Sequence, residues 1–341
     1  YFKDEWEKRP YATLTTPRKD GIHKELITCT NSSWTDYFLY HWKKHVECGA
    51  DGISIFDGGP NPCKNQLHGC GYYDDKGNLK ETVSVMSMRN MVKRLFYVTL
   101  QGRKKRGYKT RLEGLGIDHT HFANGQVSKT LFDGGLKGED LNSGYWISDE
   151  KYKKLLFKDK YYYANILTLE KFRIGWGHQW GFVPIFFPQL IKSPGISKEW
   201  ATSPEGTKDF MVYVLLHDIL ALPHWCHVET IFDTWKVKDK FGIETEDVEF
   251  FPYFKNKKWV SSSNKDIKVS FYKKPCKILL IAANVSKKKQ SAQIKLLLKG
   301  EKFKKVIDGL TDQRIVFDNQ KFNITLPPRD YKMIIIDVEK R

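Results

Sequence analysis

Near residue 245 this 341-residue chain changes rhythm. Before it, short apolar runs alternate with stretches of helical periodicity. After it, only strand-like runs remain, separated by Lys, Asn, Gly and Pro. Alternating strands and helices predict a parallel sheet with helices packed outside, whereas closely spaced strands without helices predict antiparallel sheets.

In the first part, Glu25–Thr30 reads as a strand, and Ser33–Cys48 as a helix with Trp34, Tyr37, Phe38, Tyr40 and Trp42 on or near one face. Gly52–Asp57 is a buried-type strand ending in Gly58-Gly59-Pro60. A helix follows over 83–100, strands over 115–121 and 130–133, an apolar segment from Trp180, and a helix over 210–220. Beyond the change, strands are expected at 268–272, 277–284, 292–298, 314–317, 322–326 and 331–337. The α/β organisation expected is a partial TIM-type β/α barrel over 1–245, followed by a C-terminal antiparallel β-sandwich over 246–341. A full eightfold barrel takes about 250 residues plus loops. Five or six β/α units fit before the sandwich, so further barrel strands are expected upstream of residue 1.

Charge and motifs narrow the function. The net charge is +17, from 57 Lys and Arg against 40 Asp and Glu. The basic residues fall in short scattered clusters, such as Arg103-Lys104-Lys105-Arg106 and Lys287-Lys288-Lys289, with no nucleic-acid signature beside them. They read as a solvated surface that also suits a sulfated or uronic polysaccharide. No apolar run approaches the ~18 residues of a membrane span. Phosphate loops, dinucleotide fingerprints and the Gly-x-Ser-x-Gly elbow are all missing. Six cysteines are too few for a disulfide scaffold at this length. Cys63 and Cys70 bracket a loop holding His68, which reads as a loop-closing disulfide or as half of a zinc site, although the spacing is not a standard knuckle. No metal or cofactor is assigned.

In a β/α barrel the working groups lie at the C-terminal ends of the strands. Asp57 ends one strand, and Asp133 follows another, with Glu139 just beyond. His119 and His121 alternate on one strand and share a face, suited to sugar hydroxyls, a general base or a metal. Arg173, Trp180, His217, Asp218 and Trp225 add charge, imidazole and aromatic faces that can stack on sugar rings. Each has a plainer reading: a turn-starting aspartate, a hydrogen-bonded core histidine, a core tryptophan. Glycosidic cleavage needs one protonated acid at the leaving oxygen and a second group at the anomeric carbon. Asp57 paired with Glu139 or Asp133 fits that need.

Several stretches resemble bacterial proteins similar to glycoside hydrolase family 123: Ala50–Pro60 with Asn61-Pro62-Cys63 and Leu67–Tyr72, Leu131–Glu139, Trp180-Gly181-Phe182 with Phe187–Leu190, Leu215–Asp218, and Leu326–Tyr331. The resemblance implies a barrel with flanking β-sandwiches, the first lying upstream of residue 1. It also implies β-N-acetylgalactosaminidase chemistry, in which an adjacent Asp-Glu pair holds the substrate acetamide and donates the proton. Asp57 matches the first acid; Gly58 stands where the Glu would be. The expectation is therefore a secreted, periplasmic or cell-surface glycosidase acting on an oligo- or polysaccharide. In it Asp57 is the nucleophile or the carboxylate that orients the substrate, and Glu139 is the general acid. His119, His121, Asp133, Arg173, Trp180, His217, Asp218 and Trp225 line the sugar site. The alternative is a non-catalytic carbohydrate-binding protein on the same scaffold. Nucleic acid is not an expected partner.

Overall fold

The computed structural model describes residues 2–8, 13–18, 21–56, 62–108, 116–119, 132–138, 158–177, 183–188, 197–298 and 300–340. Asp57, His121, Glu139 and Trp180 lie outside the described residues, and His119 is described only by its place in a strand. The chain divides into two compact units: Tyr1–Leu136 with Gln179–Val183, and Lys137–His178 with Pro184–Arg341.

The first unit is built on two helices, α1 (Trp34–Glu47) and α2 (Val85–Lys105). Leu39, Trp42 and Val46 recur at intervals of three and four, as do Met88, Met91, Val92 and Leu95, so each helix turns one apolar stripe inward. The two stripes form one core, which Ile53 and Ile55 join from the side. Glycine at 102 lets the helices close up, because a Cβ there would lie 2.0 Å from Val46 Cγ1. Trp42 Nε1 donates to Thr99 Oγ1 at 2.9 Å, which satisfies both buried polar groups.

Beside these helices run three parallel strands, β1 (Ile53–Phe56), β2 (Gly116–His119) and β3 (Gly134–Lys137). Phe56 pairs with His119, so two strands finish level and Asp57 is the next residue in the chain. The expected strand at 130–133 is instead β3, which starts at Gly134. Gly134 lies level with Ile117 of β2, so Asp133 precedes its strand instead of ending it. The expected strand at 25–30 is a hairpin of Thr13–Arg18 with Gly21–Leu26.

The second unit contains the parallel strands β4 (Val183–Phe186) and β5 (Leu220–Ala221). Its helices include α3 (Tyr162–Ile166), α4 (Leu169–Trp176), α5 (Pro204–Leu216) and α6 (Val228–Phe241). Ser203 caps α5 by accepting from Gly206 N, and Pro204 opens its first turn, where no donor is needed. From Asp209 to Leu216 every residue of α5 is buried, the mark of a helix packed on all sides.

The C-terminal strands form two antiparallel sheets. The five-stranded sheet runs β6 (Glu249–Phe251), β8 (Ile267–Lys274), β9 (Lys277–Asn284), β14 (Tyr331–Lys340), β11 (Glu301–Asp308). The four-stranded sheet runs β7 (Val260–Ser262), β10 (Gln290–Leu296), β13 (Lys321–Leu326), β12 (Phe317–Asp318). Alternate residues of β9 divide between two cores. Ile278, Leu280 and Ala282 join Ile294, Leu296, Phe322 and Ile324 of the other sheet. Leu279, Ile281 and Ala283 join Phe210, Val214, Val237 and Phe241 of α5 and α6. Burial on both faces explains the unbroken apolar run Ile278–Ala283. Each fully buried Leu or Ile contributes about 1.5–3 kcal/mol. The change of rhythm near residue 245 thus falls inside the second unit, because α5 and α6 close the outer face of the five-stranded sheet.

Candidate functional site

Within the second unit, β4 and β5 run side by side, and their C-terminal ends carry an aromatic shelf. Leu222 N donates to Phe186 O at 2.8 Å, which continues the pairing past β5. His224 N then donates back to Leu222 O, turning the chain tightly around Pro223. Trp225 follows with φ +53°, a conformation costly for a bulky aromatic side chain and characteristic of functional sites. Its ring stacks on Phe187, directly after β4, at 5.3 Å and 19°. The His224 ring lies 4.5 Å from it. Phe187 is buried, Trp225 half-buried and His224 exposed, so the shelf offers solvent one aromatic face and one imidazole. Such a face stacks on the CH side of a sugar ring, and an imidazole bonds its hydroxyls.

The same edge requires Gly138. Its φ is +135°, and a Cβ there would meet Phe187 O at 2.5 Å. Phe187 N in turn donates to Lys137 O at 2.7 Å, and Trp176 Nε1 to the same oxygen at 3.1 Å. The glycine of Gly138-Glu139 is therefore explained by close backbone packing. Phe187 and His224 were not among the expected site residues. The signal for both was their position just past a strand, the same rule that picked out Asp57.

His217 and Asp218 lie elsewhere. They follow α5 and precede β5, so they stand at the N-terminal end of that strand, opposite to Trp225. His217 is 3% exposed, which removes it from any solvent-open sugar site. Its Nδ1–H donates to Tyr213 O at 2.8 Å, its Nε2 faces the Tyr253 hydroxyl at 3.5 Å, and its ring packs on Phe172. Burial pushes its pKa from 6.5 down to about 4, and the nearby Arg173 charge adds to the effect. Asp218 accepts from the buried Tyr272 hydroxyl, and Lys238 Nζ lies 3.8 Å away. Arg173 is exposed on α4, with its guanidinium 4.8 Å from the Phe254 ring. Asp218 thus contacts the C-terminal sheet at Tyr272, whereas His217 and Arg173 meet Tyr253 and Phe254 in the turn after β6. His227, beside the shelf, caps α6 by accepting from Thr230 N. Cys226 is a buried thiol whose pKa burial pushes up to about 12.

The His217 environment gives a pH prediction. The unfolded chain takes up a proton near pH 6.5 and the folded chain only near pH 4. Between those values the unfolded state binds more protons, so stability falls as pH falls. The loss amounts to about 3 kcal/mol and is complete below pH 4. Denaturant midpoints across pH 4–7 are expected to show this slope in the parent chain. A His217→Gln variant is expected to lack that component.

Residues 231–315 match the family model described as glycoside hydrolase 123, C-terminal domain. The resemblance to glycoside hydrolase family 123 is borne out. The match starts inside α6, the helix that packs on the five-stranded sheet, and covers β6 to β11 of the family 123-like region. No curated protein matches the chain. Among solved structures it is similar to an α-amylase from Geobacillus thermoleovorans complexed with acarbose. That likeness has 10% identity and a TM-score of 0.50 over 100% of this chain and 73% of the other. An Anoxybacillus α-amylase is similar at 9% identity and a TM-score of 0.50, over 98% and 71% of the two chains. These likenesses concern the fold: parallel strands with intervening helices, followed by an antiparallel β region.

Proposed function

We propose that the chain is a glycoside hydrolase that cleaves a bond within an oligo- or polysaccharide. The observation that carries this reading is the family 123-like C-terminal region joined to parallel strands whose C-terminal ends present aromatic and polar groups. On this reading residues 1–245 contribute a β/α barrel and 246–341 a β-sandwich. Asp57, next after β1, is the nucleophile or the carboxylate that orients the substrate. Glu139, two residues past β3, is the general acid. On a retaining route Asp57 attacks the anomeric carbon and water later releases the sugar; on an inverting route the two carboxyls stand farther apart and the second one activates water directly. His119 and His121, at and just beyond the end of β2, contact sugar hydroxyls, and Trp180 and Trp225 supply stacking faces. The basic surface favours anionic glycans, and action outside the cytoplasm on such polymers agrees with that charge.

The alternative, sugar binding without turnover, is favoured by one sequence fact: Gly58 replaces the second acid of the family's Asp-Glu pair. A panel of aryl glycosides and natural polysaccharides separates the two. Release of aglycone or reducing sugar supports the hydrolase. Tight binding with no release across the panel supports the binding protein.

A further inference from the structure

Outside the sugar site, one cluster in the first unit has the composition and geometry of a metal centre. Cys29, Cys63, His68 and Cys70 each offer one ligand atom, and the four atoms lie within 4.8 Å of one another. They come from separate places in the chain. Cys29 follows the Gly21–Leu26 strand, Cys63 ends the short strand Pro62–Cys63, and His68 and Cys70 flank the turn at Gly69. Gly69 has φ +73°, the left-handed conformation that glycine adopts without cost. The three cysteines are 5%, 0% and 1% exposed and form a buried cluster of their own, separate from the apolar cores.

The distances fit a small tetrahedral ion. Zinc–thiolate bonds of about 2.3 Å imply a sulfur–sulfur edge of about 3.8 Å, and a sulfur–imidazole edge of about 3.5 Å. Cys29 Sγ and Cys70 Sγ are 3.8 Å apart, and Cys63 Sγ and His68 Nε2 are 3.3 Å apart. The second shell is also present. His68 Nδ1 lies 2.6 Å from Glu5 O, an oxygen that only accepts, so Nδ1 carries the proton and Nε2 turns its lone pair toward the sulfurs. Asn65 N donates to Cys63 Sγ at 3.4 Å, and Ser84 Oγ lies 3.1 Å from Cys70 Sγ. Three thiolates and one divalent ion leave a charge of −1. The buried ammonium of Lys8, close enough to Cys63 and Cys29 to feel their charge, offsets it.

We propose that Cys29, Cys63, His68 and Cys70 bind one Zn2+ as a closed, structural Cys3His site. All four positions are filled by protein, which leaves no opening for substrate and separates this site from glycoside chemistry. Binding releases the three thiol protons as the sulfurs coordinate. Its role follows from what surrounds it. Asn65 Nδ2 donates to Asp4 O and Glu7 O, and Asn31 Nδ2 to His68 O, so residues 4–7, 29–33 and 63–70 converge here, around a buried cluster made of the three cysteines. A metal staple supplies the cohesion that a core would otherwise provide.

The test is metal analysis of the full chain, purified without chelator. About one zinc per chain is expected, bound by all four residues. Cys29→Ser and Cys63→Ser are expected to lose it; Cys48→Ser and Cys276→Ser, at exposed cysteines, to keep it. Should the ligand variants misfold, His68→Cys supplies a fourth sulfur and is expected to retain zinc. Cobalt exchanged into the parent chain should show thiolate charge transfer and the intense visible bands of a tetrahedral ion. A parent chain with no zinc and a Cys29–Cys70 disulfide by mass spectrometry would overturn the proposal, as would cobalt without thiolate bands.

Discussion

Replacing Arg329 by Met is expected to lower the unfolding free energy by about 3–5 kcal/mol, the usual consequence of stranding one member of a buried ion pair. Arg329 and Asp209 are each 1% exposed in their side chains, and Arg329 Nε donates to Asp209 Oδ1 at 2.6 Å. The other oxygen of Asp209 accepts from Tyr163 N at 2.8 Å. Arg329 Nη1 donates to Val285 O, and the guanidinium lies 4.5 Å from the Tyr213 ring. One residue thus joins α3, α5 and the turn after β9 to the Pro327-Pro328-Arg329-Asp330 turn that leads into β14. Arg329 itself has φ +52°, held in place by its N–H donating to Ser286 O. In Arg329→Met the Asp209 carboxylate keeps its burial and loses its countercharge. A double variant, Asp209→Leu with Arg329→Met, is expected to recover much of the loss, because both desolvation costs vanish together. Urea melts of the parent, both single variants and the double variant measure this directly. Additive single losses would mean that the pair is not coupled.

Asp57→Asn is expected to lower turnover of any hydrolysed glycoside by about 10³-fold or more, the scale on which a positioned proton-transfer or nucleophilic group acts. The change removes a charge and keeps the shape, so melting temperature and sugar affinity should move little. Glu139→Gln should act similarly on substrates with poor leaving groups. Aryl glycosides whose phenolate leaves without protonation should be largely spared. The two variants therefore distinguish the roles: loss with every leaving group for Asp57, loss graded by leaving group for Glu139. Undiminished turnover in Asp57→Asn would remove that residue from the mechanism.

Much of the fold could be read in advance wherever burial imposes a period. The helix expected at 33–48 is α1, and the strand expected at 277–284 is β9 residue for residue. β11 went unread because Lys302, Lys304 and Lys305 sit on its exposed positions, and the run looks like a charged turn. The helix expected at 210–220 begins at Pro204 and stops at Leu216, after which the chain turns into β5. That shift moved His217 and Asp218 from a helix to the loop before a strand, and hence away from the end where sugar chemistry is expected. A four-residue shift did the same to Asp133. Partners far apart in the chain left no local trace: Arg329 meets Asp209 120 positions away. Cys29 completes a cluster of which the sequence showed only the Cys63–Cys70 loop. Trp225 could be found from its aromatic face alone, since the strand it follows, Leu220–Ala221, was hidden under the expected helix.

Hydrolysis of a glycosidic bond, the reaction proposed for this chain, leaves the oxygen of water on the product. In H218O, digestion of a glycan that the protein binds is predicted to place one heavy oxygen on the anomeric carbon of the newly released reducing end, seen by mass spectrometry. A bound glycan recovered intact, or cut to an unsaturated product without label, would contradict it.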